Sequence, residues 1–469
     1  MTVPQIVWLR RDLRLADQPA LHCAAQLGPV IPIFILDDER PGQFRHGGAH
    51  RWWLHHSLEK LGEAYRQFGA PLILRRGDCV EVLTRLAVET SAGAIHAIRH
   101  YEPWWRKAEE ELAAALPDGC ALHLHDGNYL LPPGGVTTGA GKPFRIYGPF
   151  AKAAMPHLPP PEPLPRPARL KAPAIPSSSE VLTEWNLLPT KPDWAGGFRD
   201  FWRDAVGEDA ALRAIEAFHA RVDDYATARN LPARDGSSKL SPHLHWGEVS
   251  PATVWHSFDE MPGEGCRKYR GELLWRDFTQ SIILQFPDYA ERHYQDQFDR
   301  FPWRDPNRDE AAGADIHAWQ QGRTGYPIVD AGMRQLWRTG WMHNRVRMLT
   351  ASFLVKHLLI DWRHGERWFW DTLVDADYGN NAVNWQWVAG SGVDAQLFTR
   401  IMAPLSQSDK FDAADYIREY VPELAAVSNA DIHDPDEGAR PSEYPAKVIG
   451  HREAREQALE AYRTMRGQS

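Results

Sequence analysis

Cysteine is scarce. The four residues, Cys23, Cys79, Cys120 and Cys266, lie far apart with no CxxC pair among them. That spacing offers neither a disulfide framework nor a zinc knuckle, so no metal site is expected, and it fits a reducing cytoplasm. Long apolar runs are also missing. No stretch approaches the ~20 residues that cross a bilayer, and Met1-Thr2-Val3-Pro4 shows no signal-peptide pattern, so no membrane association is expected. A glycine-rich phosphate fingerprint is absent. The first apolar run leads into Arg10-Arg11-Asp12-Leu13-Arg14 in place of GxGxxG, which argues against a standard dinucleotide site there. Positive charge is not in excess either: the formal net charge is −9, which by itself weakens the case for a nucleic-acid partner. That average conceals a local bias. From Gln320 to Trp370 there are eight Arg or Lys against three Asp or Glu. Only the local field matters to a phosphate backbone, because screening sets in within about 10 Å.

What the chain does have is tryptophan, 20 of them in 469 residues. Most belong to cores or interfaces, but that number leaves room for stacking platforms and redox relays. The length calls for two or three domains. Residues 1–130 alternate short apolar runs (Ile6–Leu9, Val30–Leu36, Pro71–Leu74, Ala94–Ile98, Ala121–Leu124) with helical patterns (Gln18–Gln26, Ala49–Phe68, Cys79–Glu89, Trp104–Leu116). Strict alternation predicts an α/β domain with an open, mostly parallel sheet. Nine of the 21 residues from Pro156 to Pro176 are proline, followed by Ser177-Ser178-Ser179. Residues 131–197 therefore read as a long, stiff, proline-rich linker. Beyond it helical periodicity dominates: Asp209–Arg221, Leu273–Gln285, Val329–Arg338, Arg345–Leu359, Glu366–Leu373 and Arg452–Met465. Residues 198–469 are expected to form an all-α domain.

Four segments of the helical half are chemically dense. Asp235-Gly236-Ser237-Ser238-Lys239-Leu240-Ser241 is a Gly-Ser-Ser turn before a helix, which reads as an N-cap and also offers hydroxyls and free N–H groups to an anion. In Glu272-Leu273-Leu274-Trp275-Arg276, the i,i+4 spacing pairs Glu272 with Arg276 beside Trp275. Thr324–Arg334 runs on to Thr339–Met348, and Asp375–Trp387 follows. Both are helices joined by Gly-, Asn- and Asp-rich loops, where a rigid scaffold presents a site.

In this order the four segments resemble the flavin-binding domain of the photolyase/cryptochrome family, and Trp8–Leu15 and Arg145–Phe150 match its N-terminal domain. Among its members the resemblance points to class I cyclobutane pyrimidine dimer photolyases. It implies a buried flavin adenine dinucleotide (FAD), with Tyr225, Ser237, Ser238, Lys239, Leu240 and Ser241 at the diphosphate. Tyr269, Glu272, Arg276, Asn344 and Asp377 are placed around the cofactor or the lesion, and Arg347 and Asp375 as a charge pair over the flavin ring. Asn381 falls on the residue facing the reactive ring nitrogen. A neutral amide there tolerates the anionic reduced flavin that repair requires, where a carboxylate would repel it. The implied activity is an electron loan from excited reduced flavin to an extruded dimer. Glu272, Trp275, Met348, Asn381 and Trp385 would face the lesion. Arg229, Arg345 and Arg400, with Trp275, would contact DNA containing pyrimidine dimers. Trp385 and Trp362 match the inner and middle members of the family's electron chain, and Trp303 the distal one, with Trp319 as the alternative. His343-Asn344 has no second histidine after it, which favours the cyclobutane over the six-four class.

Several positions depart from the family pattern. Ser237 replaces a Thr, Tyr269 replaces a Trp common in bacterial members, and Arg400-Ile401-Met402-Ala403-Pro404 replaces Arg-Ile-Phe-Asn-Pro. The Trp303–Trp319 interval is longer than usual. Tyr101-Glu102-Pro103-Trp104-Trp105 exchanges the polar contacts of folate-binding relatives for indoles. The usual folate antenna mode is therefore expected to be lost, with a deazaflavin, another chromophore or an empty pocket as alternatives. A monomer is expected. The rival reading is a cryptochrome-type light sensor that binds a protein partner and repairs nothing. Such sensors usually carry a long low-complexity tail, and none follows Arg452–Met465.

Overall fold

The computed structural model describes residues 3–173 and 178–467; residues 174–177, which include Pro176 and Ser177 of the proline-rich stretch, lie outside the described residues. Five strands, β1 (Gln5–Leu9), β2 (Val30–Leu36), β3 (Ile73–Arg76), β4 (Ala94–Ile98) and β5 (Ala121–His125), form one parallel sheet in the order β3-β2-β1-β4-β5. Helices α1 (Pro19–Leu27), α2 (Gly48–Gln67), α3 (Cys79–Thr90) and α4 (Pro103–Ala115) connect them. The side-chain period of two sorts β1 between faces. Val7 and Leu9 join Leu21 of α1 and Leu54 and Leu58 of α2, whereas Ile6 and Trp8 join Leu83 of α3 and Leu112 of α4. The strand order reverses at β1. Right-handed crossovers then put α1 and α2 on one face and α3 and α4 on the other.

The stretch expected as a stiff spacer is instead packed against both domains. Its start contains a helix, α5 (Tyr147–Ala154), and Leu131, Val136 and Phe150 are buried in the core of the helical half. Farther on, Leu170, Trp185 and Leu187 are buried in the core of the α/β domain. Here the backbone bonds to the end of α2 and to the edge strand β3: Leu170 N donates to Phe68 O (2.7 Å) and Glu180 N to Leu74 O (2.9 Å). Proline lacks an N–H but tolerates extended edge positions, so apolar residues interleaved with prolines can line a domain without joining its sheet.

From Gly196 onward the described elements are helical. The helix carrying Glu272 begins at Glu264 rather than Leu273, because Cys266 and Tyr269 bury a face that its polar neighbours hide from a periodicity count. None of the described helices is long and apolar enough to cross a membrane.

The Arg-rich turn after β1 joins the two domains. Arg14, almost wholly buried, donates to Asn128 Oδ1 (2.9 Å), Gly127 O (2.9 Å) and Gly247 O (3.0 Å). Gly247 has φ +64°, and a Cβ there would lie 2.2 Å from Arg11 O, so only glycine fits this close approach. Arg11 crosses to Asp377 at 3.0 Å and also pairs with Glu102.

Candidate active site

A cavity of about 520 Å³ opens inside the helical half. Its walls come from the Ser237–Ser241 loop, the Glu264–Gln285 helix, the Asn344–Lys356 helix and the Tyr378–Ala389 helix. All fourteen residues expected around the cofactor line it, from Tyr225 and the Ser237–Ser241 loop to Arg347, Asp375 and Asn381. Trp275, Met348, Trp385, Arg229 and Arg345 line it too. Six basic side chains against four acidic ones make this wall cationic on an acidic protein. Arg400 is not part of it: it is exposed elsewhere, its carbonyl accepting from Lys356 Nζ at 3.1 Å.

Inside the cavity the pairings differ from those that spacing suggested. Glu272 does not pair with Arg276. Its carboxylate binds Arg229 and lies 3.8 Å from Lys268 Nζ. Arg276 turns instead to backbone carbonyls, Leu244 O at 3.1 Å and Asn128 O at 3.5 Å. Two long side chains on one helix face are free to choose partners off the helix, and a tertiary carbonyl or arginine outcompetes a weak i,i+4 pair. Arg229 therefore faces into the cavity, its guanidinium 5.2 Å over the Tyr225 ring. Arg345 reaches Asn230 Oδ1 at 2.8 Å and the Met348 sulfur at 3.7 Å.

Arg347 and Asp375 form a bidentate pair (3.1 and 2.9 Å), and Arg347 Nε also donates to Met342 O (2.7 Å). Asp377 lines the cavity, but its oxygens are committed elsewhere. They accept from Asn380 N (2.8 Å) as the helix N-cap, from Gln280 Nε2 (2.9 Å) and from Arg11. Its job is to anchor the helix that carries Asn381 and Trp385. Lys239 Nζ is likewise held by Asp235 Oδ1 (2.8 Å). His343, the N-cap of the helix opening at Asn344, is driven down to about 4 by burial and by Arg345 and Arg347, so it stands neutral among the arginines.

Three supports were not anticipated from the sequence. Glu366 is buried behind Asn381, and the Asn381 Nδ2 group donates to its Oε1 (2.8 Å) and backbone O (3.1 Å). Both amide hydrogens are thus used, and the Asn381 carbonyl oxygen is left free. Burial pushes the Glu366 carboxyl up to about 8, so it is protonated at neutral pH. Tyr147 of α5 stacks on Trp275 with ring centroids 3.5 Å apart and an interplanar angle of 8°, held by Tyr147 OH on Gly271 O (2.8 Å). Trp387 also lines the cavity, two residues beyond Trp385. Tyr147 falls within the Arg145–Phe150 match to the family; nothing local marks Glu366.

The remaining tryptophans expected in the electron chain lie outside the cavity. Trp362 donates its indole N–H to His293 Nδ1 (3.1 Å), and His293 lies parallel to half-buried Trp303 at 5.8 Å. Trp319 sits on a helix (Glu310–Gln320) within the longer Trp303–Trp319 interval, fully buried, its ring 6.4 Å from Trp385. At the strand-order reversal the indoles of the expected antenna segment fill space. Trp104 stacks on Phe44 (5.8 Å), Trp105 meets Trp8 edge-on (6.0 Å), and a cavity of about 30 Å³ is left. That is room for about one water.

Comparison with known proteins matches this architecture from end to end. A family model described as "DNA photolyase" matches residues 5–168, and one described as "FAD binding domain of DNA photolyase" matches residues 269–464. A deoxyribodipyrimidine photo-lyase of Agrobacterium fabrum is 44% identical over 98% of both chains. The chain belongs to the DNA photolyase family. A photolyase crystal structure from Agrobacterium tumefaciens superposes with a TM-score of 0.94 at 43% identity, covering 100% of this chain and 98% of that one. That neighbour is described as a class III photolyase, so the likeness runs to class III where the motifs suggested class I. Cryptochrome-1 of Arabidopsis thaliana is 34% identical over 98% of this chain and 70% of its own length.

The cavity fits the FAD that this photolyase-family domain binds. The backbone N–H groups of Ser237, Ser238 and Lys239 engage no acceptor among the described residues. His245 Nε2, on the cavity wall, is buried without a partner. Both are donor-rich surroundings for an anionic, heteroatom-dense cofactor.

Proposed function

We propose that the chain uses blue light to reverse cyclobutane pyrimidine dimers in DNA. The observation that carries this reading is the gathering of Glu272, Trp275, Met348, Asn381 and Trp385 around one cationic cavity, where a flat extruded lesion and a flavin both find walls. Bound FAD supplies the electron that the dimer needs for ring opening and recovers it afterwards, when its reduced form absorbs light. The chain's own residues bind and orient. Ser237, Ser238 and Ser241 would offer hydroxyls and N–H groups to the diphosphate, and the Arg347–Asp375 pair would present a neutral unit to the ring. Asn381, locked by Glu366, would offer its free carbonyl oxygen to a flavin N–H, a donor that the reduced ring carries. Trp275, stiffened by Tyr147, gives the lesion a fixed apolar face. Glu272 releases Arg229 as DNA enters. Its carboxyl then meets the pyrimidine edge, and the freed guanidinium meets a phosphate. Trp385, Trp362 and Trp303 would carry electrons to a resting oxidised cofactor. Of the two distal candidates Trp303 neighbours Trp362 through His293 and reaches the surface, whereas buried Trp319 lies beside the inner member.

The test is whether purified, chemically reduced protein under blue light restores thymine monomers in an ultraviolet-irradiated oligonucleotide. Glu272→Ala should lower the yield per absorbed photon while flavin content stays near that of wild type. Flavin binding without any restoration of monomers favours the cryptochrome reading.

A further inference from the structure

We propose that the α/β domain carries a zinc-binding site made by Cys23, His96 and His125. Scattered cysteines had suggested no metal site, since spacing along the chain shows only ligands close in sequence. Folding brings one ligand from each of α1, β4 and β5 together, and the Cys23 sulfur and a nitrogen of each imidazole all lie within 4.8 Å of one another. His96 Nδ1 and His125 Nε2 are 3.2 Å apart. Two Zn–N bonds of about 2.0–2.1 Å at a tetrahedral angle put their nitrogens about 3.3 Å apart, so the pair already stands at coordination distance.

The surrounding hydrogen bonds decide which nitrogen of His96 is free. Gln5 Nε2 donates to Val3 O (3.0 Å), which turns Gln5 Oε1 toward His96 Nε2 at 3.1 Å. A carbonyl oxygen only accepts, so His96 carries its proton on Nε2 and directs the Nδ1 lone pair at His125. A ligand histidine is typically oriented in this way, by an acceptor on its other nitrogen. One thiolate and two imidazoles suit zinc among the common divalent ions, and three protein ligands leave a fourth position for water. His96 is wholly buried while Cys23 and His125 are half-buried, so an ion has a path in. The bland alternative is that His125 Nε2–H donates to His96 Nδ1 and Cys23 stands by.

The experiment uses the full-length, flavin-loaded protein, stripped with a chelator and then given Zn²⁺ alone. After desalting, wild type should retain about one zinc per chain by elemental analysis. Zn²⁺ should also slow alkylation of Cys23, followed peptide by peptide, but not that of Cys120. Cys23→Ser and His125→Ala should each weaken zinc binding at least tenfold, and Gln5→Ala, which frees the His96 tautomer, should weaken it less. Cys23 is half-exposed on a surface helix, so Cys23→Ser should keep wild-type flavin content and helicity, which separates ligand loss from misfolding. Equal zinc retention in wild type and Cys23→Ser, or no protection of Cys23 by zinc, overturns the proposal and leaves a plain imidazole hydrogen bond.

Discussion

Glu366→Gln should stabilise the protein at pH 8 and do far less at pH 5. Glu366 lies on the helix Trp362–Thr372 with 1% exposure, and burial pushes its carboxyl from 4.5 to about 8 even though the bond from Asn381 pulls it down. In the unfolded chain the same group ionises near its ordinary value. Between the two the native state therefore holds a proton that the unfolded state has lost. The contribution of Glu366 to stability is fully present below about pH 4.5 and drains away as the pH rises through about 8. At about 1.4 kcal/mol per tenfold change in proton concentration, the loss by pH 8 is roughly 4 kcal/mol. Glutamine does not titrate and still offers Oε1 to Asn381, so the variant should follow a flat curve. Urea denaturation of flavin-loaded wild type and variant at pH 5, 6, 7 and 8 reads the difference directly. The midpoint gap should widen steadily in favour of glutamine toward pH 8. A gap independent of pH would mean that Glu366 is ionised in the native state and that the account of a neutral acid behind Asn381 is wrong.

Trp362→Phe should slow light-driven reduction of oxidised flavin by at least an order of magnitude. Chemically pre-reduced enzyme should still repair, and transient absorption alongside repair assays separates the two. Arg345→Ala should weaken binding to dimer-containing DNA and flatten the slope of log affinity against log salt by about 0.9, measured by fluorescence anisotropy over a salt series. Asp377→Ala removes one of the two carboxylates on Arg11, leaving Glu102, and takes the cap from the Tyr378–Ala389 helix. The lost cap alone costs about 0.5–2 kcal/mol, visible as a lower urea midpoint with looser flavin retention.

Local signals determined most of the scaffold. The short, mostly apolar runs at Val30–Leu36 and Ala94–Ile98 form strands with those very bounds, since a buried parallel strand needs little beyond such a run between turns. The α/β-then-α order was also legible, and so were many residues that line the cavity, because they sit in contiguous motifs. Partners distant in the chain were not. Glu272 chose Arg229 over Arg276, Asp377 closed on Arg11, and Glu366 found Asn381. Each is a contest between side chains that only folding brings within reach, and helical periodicity carries no information about its winner. The proline-rich stretch was misjudged as a spacer for the same reason. Its prolines forbid regular structure locally, but the burial of Leu170 and Trp185 between them depends on surfaces supplied by the rest of the chain. Cys23, His96 and His125 belong with these: the sheet order set them side by side, whereas along the chain they are a lone thiol and two unremarkable histidines.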